Sequence, residues 1–389
     1  MVIEHALTPE TRLLCLAAGS DNDVEVERAM GAGVNWEHAF RLAERENAFP
    51  VFWRRIAPHA ARVAPAAIAE QMQRRALVAE FTLRNQERLL ESGLRSLAEI
   101  GLEVMLLKGA ALASTIYRSF ANRPMGDVDI LTHPNDAQRV WDRLLERDWE
   151  WHRDMGLDDF YAGHQHLPPL FDRARAGASL EVHTDLFIPS HPFGRLAELV
   201  WSERAPARVG TATTWAPNPT HLLLHACIHF AWSNELERAG WNCVRDVDAL
   251  ARSGLVDWDE LARLAHRLHA DTSVYWTLRL SRVLANATVP LEVLDALTPK
   301  RSAVALGLLE RHFVAGLFDE SLSCPSTRVR RALWETAIDP KRSGHGRSRP
   351  WARYGEYNPA VSFSAPSQES SRGRQPSAWR RYIQALMRP

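Results

Sequence analysis

The hydrophobic pattern of the chain changes twice along its length, and this change limits the folds that it can adopt. Residues 1–92 and 218–335 place apolar residues at three- and four-residue spacing, which is the periodicity of α-helices. Residues 93–217 instead contain short aliphatic and β-branched runs separated by turn-forming residues, as in strands that alternate with helices. The sequence therefore predicts an α+β protein in which helical N-terminal and C-terminal regions flank a mixed-sheet core.

The predicted core elements follow in the order strand, helix, strand, helix, strand, strand. LEVMLL at residues 102–107 predicts the first strand and DVDIL at 127–131 the second, with a helix over 110–120 between them. Two further strands are predicted over 166–171 and 180–187. After the core, Asn218-Pro219-Thr220 has the residue types that begin a helix, so HLLLHACIHFAW is predicted to be helical.

The last segment, residues 336–389, has a different composition from the rest. It is rich in Ser, Gly, Arg and Pro, which predicts a mostly disordered tail that ends in the short amphipathic stretch WRRYIQALM. From residue 340 onward it has ten basic residues and two acidic ones, while the whole chain has no net charge. The remaining chain is therefore acidic, and we expect no nucleic-acid partner for it.

The overall composition indicates a folded protein of several regions. The chain has 389 residues, of which 46% are hydrophobic, and no run approaches the roughly 20 apolar residues of a membrane span. Its four cysteines are far apart and form no CxxC pair, so neither a disulfide framework nor a thiolate zinc site is expected. We expect a cytoplasmic protein without a membrane partner.

Two predicted strands carry acidic residues at alternate positions. Side chains two apart in a strand share a face, so Asp127 and Asp129 lie about 6–7 Å apart on one face. On the later strand Glu181, His183 and Asp185 share a face in the same way. If the strands are neighbours, three carboxylates converge, and their mutual repulsion favours a divalent cation such as Mg²⁺. The alternative is that both faces are polar surfaces in contact with water.

Several motifs together make the chain similar to a known family. It resembles the uncharacterised nucleotidyltransferase family of bacteria, a branch of the polymerase-β-like nucleotidyltransferase superfamily, over about residues 5–330. The motifs that carry the resemblance are LLKGAAL (106–112), Tyr117, RPMGDVDIL (123–131), LEVH (180–183), HLLLHACIHF (221–230) and WNCVRDVDAL (241–250).

The resemblance implies both an activity and roles for particular residues. The activity is transfer of a nucleoside monophosphate from an NTP to a hydroxyl or phosphate acceptor, with release of pyrophosphate. Asp127 and Asp129 fall on the metal-binding aspartates of the superfamily, and Glu181 on its third carboxylate, which is usually an aspartate. The three carboxylates are therefore the predicted catalytic and metal-binding residues, with Mg²⁺ as the cofactor, Mn²⁺ as its alternative and an NTP as co-substrate.

Five other residues form the predicted nucleotide-binding set. Lys108-Gly109 occupies the strand-to-helix turn where many relatives have Gly-Ser, so Gly109 would allow close backbone approach to a phosphate. Lys108 would supply a point charge, and it is one of three lysines in a chain whose other basic residues are arginines. Arg123 precedes Asp127 by four residues and would bind phosphate oxygens, while Ser114 and His183 complete the set.

The acceptor is less well defined by the resemblance. Members of the family can lie among biosynthetic genes, which favours a small-molecule or peptide acceptor and a role in natural-product biosynthesis. A protein substrate stays open, whereas the acidic body of the chain disfavours tRNA.

Two alternatives to this enzyme remain open. The Lys-Gly turn and Glu181 depart from the family pattern, so the chain is alternatively a non-catalytic relative that binds a nucleotide or a partner. The second alternative is a metal hydrolase. Its zinc site would be built from His164 and His166, or from the histidines of the 221–230 helix, together with Glu181 or Asp127. Asp246 and Asp248 lie in a helical pattern and are not predicted to form a second metal pair.

Overall fold

The computed structural model of the protein describes most of the chain. It covers residues 7–19, 23–152, 161, 163–174, 177–189, 191–193, 196–318, 322–339 and 376–387. Most of the predicted disordered tail, residues 340–375 and 388–389, lies outside the described residues.

Five helices form the N-terminal part of the described chain. Thr8 caps the first helix, since its side chain accepts a hydrogen bond from the backbone N–H of Thr11, and Gly19 ends that helix. The fifth helix is 33 residues long and continues past residue 92, the predicted end of the N-terminal region. The helices are α1 (Pro9–Ala18), α2 (Asp23–Met30), α3 (Trp36–Arg45), α4 (Val51–Val63) and α5 (Ala66–Ala98).

The described residues of the core form a seven-stranded mixed sheet. The spatial order is β3-β4-β5-β2-β1-β7-β6, and the β2–β5 and β1–β7 pairs are parallel whereas the other pairs are antiparallel. Helices α6 (Lys108–Thr115), α7 (Ala137–Leu145) and α8 (Ala197–Ser202) follow strands of the sheet or join them. The predicted α+β class with a mixed sheet is confirmed. The strands are β1 (Met105–Leu106), β2 (Val128–Leu131), β3 (Trp149–Glu150), β4 (Leu170–Asp172), β5 (Ser179–His183), β6 (Arg204–Val209) and β7 (Ala212–Pro217).

Several core elements are shorter than predicted. Strand β4 begins at Leu170 because the two prolines before it have no N–H to donate, and His166 forms only a single bridge to His183. Strand β5 ends at His183, not near residue 187. Helix α6 ends at Thr115, five residues before the predicted end, and Arg118 then adopts a left-handed backbone with φ of +58°. Strands β3, β6 and β7 were not predicted.

Helices again form the C-terminal part of the described chain, as predicted. Asn218 caps α9, because its side chain accepts a hydrogen bond of 2.8 Å from the backbone N–H of His221. None of the helices in the described ranges is long and apolar enough to cross a membrane. The helices are α9 (Pro219–Trp232), α10 (Gly240–Ser253), α11 (Trp258–Arg267), α12 (Asp271–Ala285), α13 (Leu291–Leu297), α14 (Ala303–Phe318), α15 (Thr327–Ile338) and α16 (Pro376–Met387).

The helical regions pack together around the sheet. Helix α1 contacts α10 and α12, so the N-terminal and C-terminal helices share one hydrophobic core, and α9 packs against α6 next to the sheet. Helix α16, in the segment predicted to be amphipathic, packs against α14, where the Tyr382 hydroxyl lies 3.0 Å from Nδ1 of His312. The contact between α9 and α6 determines which histidines lie near the candidate active site.

Candidate active site

The pairing of β2 with β5 places three polar side chains beside one another. Asp129 lies opposite Glu181 in this parallel pair, and Leu131 lies opposite His183. The alternate residues Val128 and Val182 are fully buried in the hydrophobic core. Because side chains alternate between the faces of a strand, Asp129, Glu181 and His183 share the face opposite to these valines.

Two positively charged or proton-bearing groups contact the carboxylate of Asp129. Lys108 Nζ lies 2.7 Å from Asp129 Oδ1, and His183 Nε2 lies 2.8 Å from the same oxygen. His183 Nε2 also lies 3.3 Å from Glu181 Oε2. The side chain of His183 is 0% exposed and that of Asp129 is 3% exposed. Each charge in this group therefore depends on its neighbours for stabilisation.

The pKa values of the site reflect this mutual dependence. Burial raises the pKa of Asp129, but Lys108 and His183 outweigh it and hold that pKa well below its usual range. Burial lowers the pKa of His183, but its hydrogen bonds to Asp129 and Glu181 outweigh burial and raise it. Burial likewise opposes the charge of Glu181, yet His166 and His183 lower its pKa to about 2.

Asp127 stands apart from this buried group. It precedes β2 and is exposed, and the nearby negative charge of Asp129 raises the pKa of Asp127 to about 7. The ligand atoms of Asp129, Glu181 and His183 all lie within 4.8 Å of one another, and Asp127 is not part of that group of described residues. Two of the three predicted metal ligands are thus brought together, with a histidine as the third donor. Convergent carboxylate oxygens and an imidazole nitrogen fit a divalent cation.

The turn between β1 and α6 positions Lys108 and Gly109. Lys108 begins α6 with a left-handed backbone, φ +43°, and its ammonium group reaches across to Asp129. A Cβ atom at Gly109 would lie 3.3 Å from Cβ of Met125, so the absence of a side chain lets the helix start pack against the turn before Asp127. Ser114 donates its hydroxyl to the carbonyl of Ala111 at 3.1 Å, inside the helix. The phosphate contacts of these residues stay predictions.

Arg123 makes a bidentate ion pair with a residue of α10. Its Nε and Nη2 atoms each lie 2.7 Å from one oxygen of Asp246, and the Tyr117 hydroxyl donates to Asp246 Oδ1 at 3.0 Å. Arg123 also donates to the carbonyl of Pro124, in the turn that leads to Asp127. In this arrangement Arg123 joins that turn to α10, and its predicted phosphate contact stays a prediction.

Sequence reasoning missed the role of Asp246. The pairing partners Arg123 and Asp246 are 123 residues apart, and no local pattern links them. The available signal was a carboxylate within a mostly apolar helical segment, since such a group needs a partner when buried. Asp248, two residues later, pairs with Arg252 on the same helix at 2.9 Å.

Histidines surround the carboxylates on two sides. His166 Nε2 lies 3.5 Å from Glu181 Oε2, and the ring centres of His164 and His166 are 4.2 Å apart. On α9, burial lowers the pKa of His225 and His229, which also respond to the charges of Lys108 and Asp129. Of the histidines predicted as alternative zinc ligands, His166 therefore lies beside Glu181.

Two other histidines that were predicted as alternative zinc ligands make no contact with the carboxylates that the structure records. His221 lies 3.7 Å from Glu203, away from the carboxylate group. Among the described residues, neither ring nitrogen of the buried His225 has a hydrogen-bond partner, and its ring packs edge-on against Phe187.

Residues 32–286 match the model of the family described as uncharacterised nucleotidyltransferase. Neither the search of curated proteins nor the search of solved structures found a match. The matched range is more than half of the chain and includes Lys108, Asp127, Asp129, Glu181 and Asp246. The chain therefore belongs to this uncharacterised nucleotidyltransferase family, and it is a nucleotidyltransferase.

Proposed function

We propose that the protein transfers a nucleoside monophosphate from an NTP to a hydroxyl or phosphate acceptor in a Mg²⁺-dependent reaction that releases pyrophosphate. The observation that carries the proposal is the register of β2 and β5, which sets Asp129 opposite Glu181 beside the first turn of α6. Carboxylates at this position, next to a helix N-terminus and a lysine, suit a metal-bound triphosphate.

The carboxylates have different exposures, and this suggests different roles. Asp129 and Glu181 would hold Mg²⁺, with Asp127 at the exposed edge on the nucleotide side; when bound, the ion would neutralise charge on the phosphates. The side chain of Glu181 is 17% exposed, compared with 3% for Asp129. Glu181 is therefore the carboxylate that an entering acceptor reaches more readily than Asp129, and we assign it the proton of the attacking hydroxyl.

Lys108 and the start of α6 would bind the triphosphate. The Lys108 ammonium pairs with Asp129, and the charges of Asp129, Glu181 and Asp127 outweigh burial and raise the pKa of Lys108. A permanently charged ammonium group beside free N–H groups of a helix N-terminus attracts phosphate oxygens.

We further propose a small molecule or a peptide as the acceptor, with natural-product biosynthesis as its setting. Residues 1–339 have a net charge of −8, while residues 340–389 have one of +8. An acidic body repels the phosphate backbone of RNA, and this supports an acceptor other than tRNA.

A transfer assay with labelled nucleotides tests the proposal. The purified protein is incubated with each labelled NTP, Mg²⁺ and a cell extract, and we expect a labelled acceptor that the Asp127→Asn variant does not produce. Asp142→Asn, which changes an exposed aspartate of α7, is the matched control and should label like the parent. Absence of label with all four NTPs, together with absence of metal-dependent NTP binding, would contradict the proposal.

One observation favours a second candidate, nucleotide binding without turnover. The Lys108 ammonium lies 2.7 Å from Asp129, so a built-in cation already neutralises one of the carboxylates. A thermal shift with Mg²⁺ and NTP distinguishes the two candidates. A shift that disappears in the Asp127→Asn/Asp129→Asn double variant, without turnover in the parent, would support the second candidate.

A further inference from the structure

Two histidines next to the carboxylates share a hydrogen-bonding arrangement that the proposed function does not use. His166 Nδ1 lies 2.8 Å from the backbone carbonyl of Leu167, and His183 Nδ1 lies 3.2 Å from that of Asp185. In both rings the opposite nitrogen, Nε2, faces Glu181 Oε2, at 3.5 Å for His166 and 3.3 Å for His183.

This arrangement determines which ring nitrogen has the lone pair. A carbonyl oxygen only accepts hydrogen bonds, so Nδ1 of each ring must donate, and Nε2 of the neutral ring, the form that binds a metal, then carries the lone pair. At His183 a proton on Nε2 is donated to Asp129 at 2.8 Å, and a metal ion would take the place of that proton. At His166 that lone pair faces a carboxylate oxygen, which is a second acceptor. Two acceptors at 3.5 Å need a cation or a proton between them. Histidines that bind metals through Nε2 commonly have Nδ1 fixed in this way by a backbone carbonyl.

Burial fixes both rings in these positions. His183 is 0% exposed and His166 is 8% exposed, and their ring centres are 5.0 Å apart. The single bridge between residues 166 and 183 holds the two backbones together as well. The nitrogen donors are therefore part of the folded core and do not depend on a flexible surface side chain.

We propose that His183 is a nitrogen ligand of the metal ion together with Asp129 and Glu181, that His166 joins it from beside Glu181, 3.5 Å from Oε2, and that the site prefers a borderline transition-metal ion to Mg²⁺. The inference rests on the proposed function, because it names the metal of that same site. Mg²⁺ favours an all-oxygen octahedral shell, whereas imidazole nitrogen suits Zn²⁺ and Co²⁺ and is also accepted by Mn²⁺. The mixed donor set thus changes the expected cofactor.

Metal binding without nucleotide tests the inference directly. The full-length, metal-free protein is loaded with Mn²⁺ for pulsed EPR, and it is titrated separately with Co²⁺ and Mg²⁺. We expect imidazole ¹⁴N coupling in the Mn²⁺ spectrum, and tighter binding of Co²⁺ than of Mg²⁺ by at least about tenfold. The EPR readout uses the parent protein, so it does not depend on whether a variant folds.

Histidine variants then identify the ligands. His166→Gln and His183→Gln should each weaken Co²⁺ binding on the order of 10- to 100-fold, while Mg²⁺ binding changes much less. His225→Gln removes another buried imidazole, on α9, and is the matched control that should bind Co²⁺ like the parent. Circular dichroism shows which variants are folded, and only folded variants are compared.

The outcomes separate this inference from the proposed function. Absence of ¹⁴N coupling, or equal binding of Co²⁺ and Mg²⁺, overturns the inference even if the protein transfers nucleotides with Mg²⁺. An equal effect of His166→Gln and His225→Gln on Co²⁺ binding would also overturn the role of His166. Clear ¹⁴N coupling in a protein that transfers no nucleotide would support the metal site and contradict the proposed function.

Discussion

Replacement of Asp246 by Ala removes one partner of a buried ion pair beside the candidate active site. The side chains of Arg123 and Asp246 are 11% and 4% exposed, and two bonds of 2.7 Å join them. The Tyr117 hydroxyl loses its bond to Asp246 in the same variant. Because the guanidinium group would remain buried without its counter-charge, we expect the free energy of unfolding to fall by about 3–5 kcal/mol.

Urea denaturation followed by tryptophan fluorescence measures this loss. The control is Glu70→Gln, which breaks the ion pair of Arg74 and Glu70 on α5, where both side chains are about two-thirds exposed. Such an exposed pair is worth about 0.3–0.5 kcal/mol, so the two variants should differ by several kcal/mol.

A double replacement checks the reason for the loss. Arg123→Met/Asp246→Leu removes both charges and should regain much of the stability that Asp246→Ala loses, because no unpaired charge stays buried. A loss below about 1 kcal/mol in Asp246→Ala, or a double variant that is less stable than either single variant, would refute this reasoning.

Three further predictions follow from individual contacts. Gly109→Ala should weaken NTP binding, since its Cβ would lie 3.3 Å from Met125 Cβ and displace the turn before Asp127; an unchanged NTP affinity would contradict this. Lys108→Met should weaken NTP binding but strengthen divalent-metal binding in calorimetry, because it removes the cation that pairs with Asp129; a parallel loss of both would be the contrary result. Burial lowers the pKa of His312 to about 4, so folding stability should decrease as the pH falls from 6.5 through 4. His312→Phe should flatten that decrease, and an equally steep decrease in the variant would exclude His312 as its source.

The helical regions and strands β1, β2, β4 and β5 were predictable because their signals are local. The capping residues Thr8 and Asn218 begin helices as their sequence predicts, and alternation around Asp129 and Glu181 indicates which residues share a face. Strands β6 and β7 were missed because residues 204–217 contain four alanines and two prolines, which favour strands weakly. The glycine at position 210 was the turn signal between them.

The arrangement of the site depends on pairings between distant segments, which local patterns do not encode. That Asp129 lies opposite Glu181 follows from the register of two strands about 50 residues apart. The inclusion of His183 in the carboxylate group follows from the same register, and the Arg123–Asp246 pair depends on how α10 packs against the core. Sequence reasoning therefore identified the carboxylates and set His183 on the face of Glu181, but as a nucleotide-binding residue and not as a metal donor, and it missed the partner of Arg123.

If Glu181 acts in nucleotidyl transfer, its replacement by Gln should separate NTP binding from turnover when both are measured on one preparation. We predict that Mg²⁺-dependent NTP binding of Glu181→Gln stays within about tenfold of the parent, about 1.4 kcal/mol, while turnover falls by about a hundredfold or more. Glu146→Gln, at an exposed position after α7, should behave like the parent in both measurements. Turnover of Glu181→Gln at the parental rate would contradict the claim.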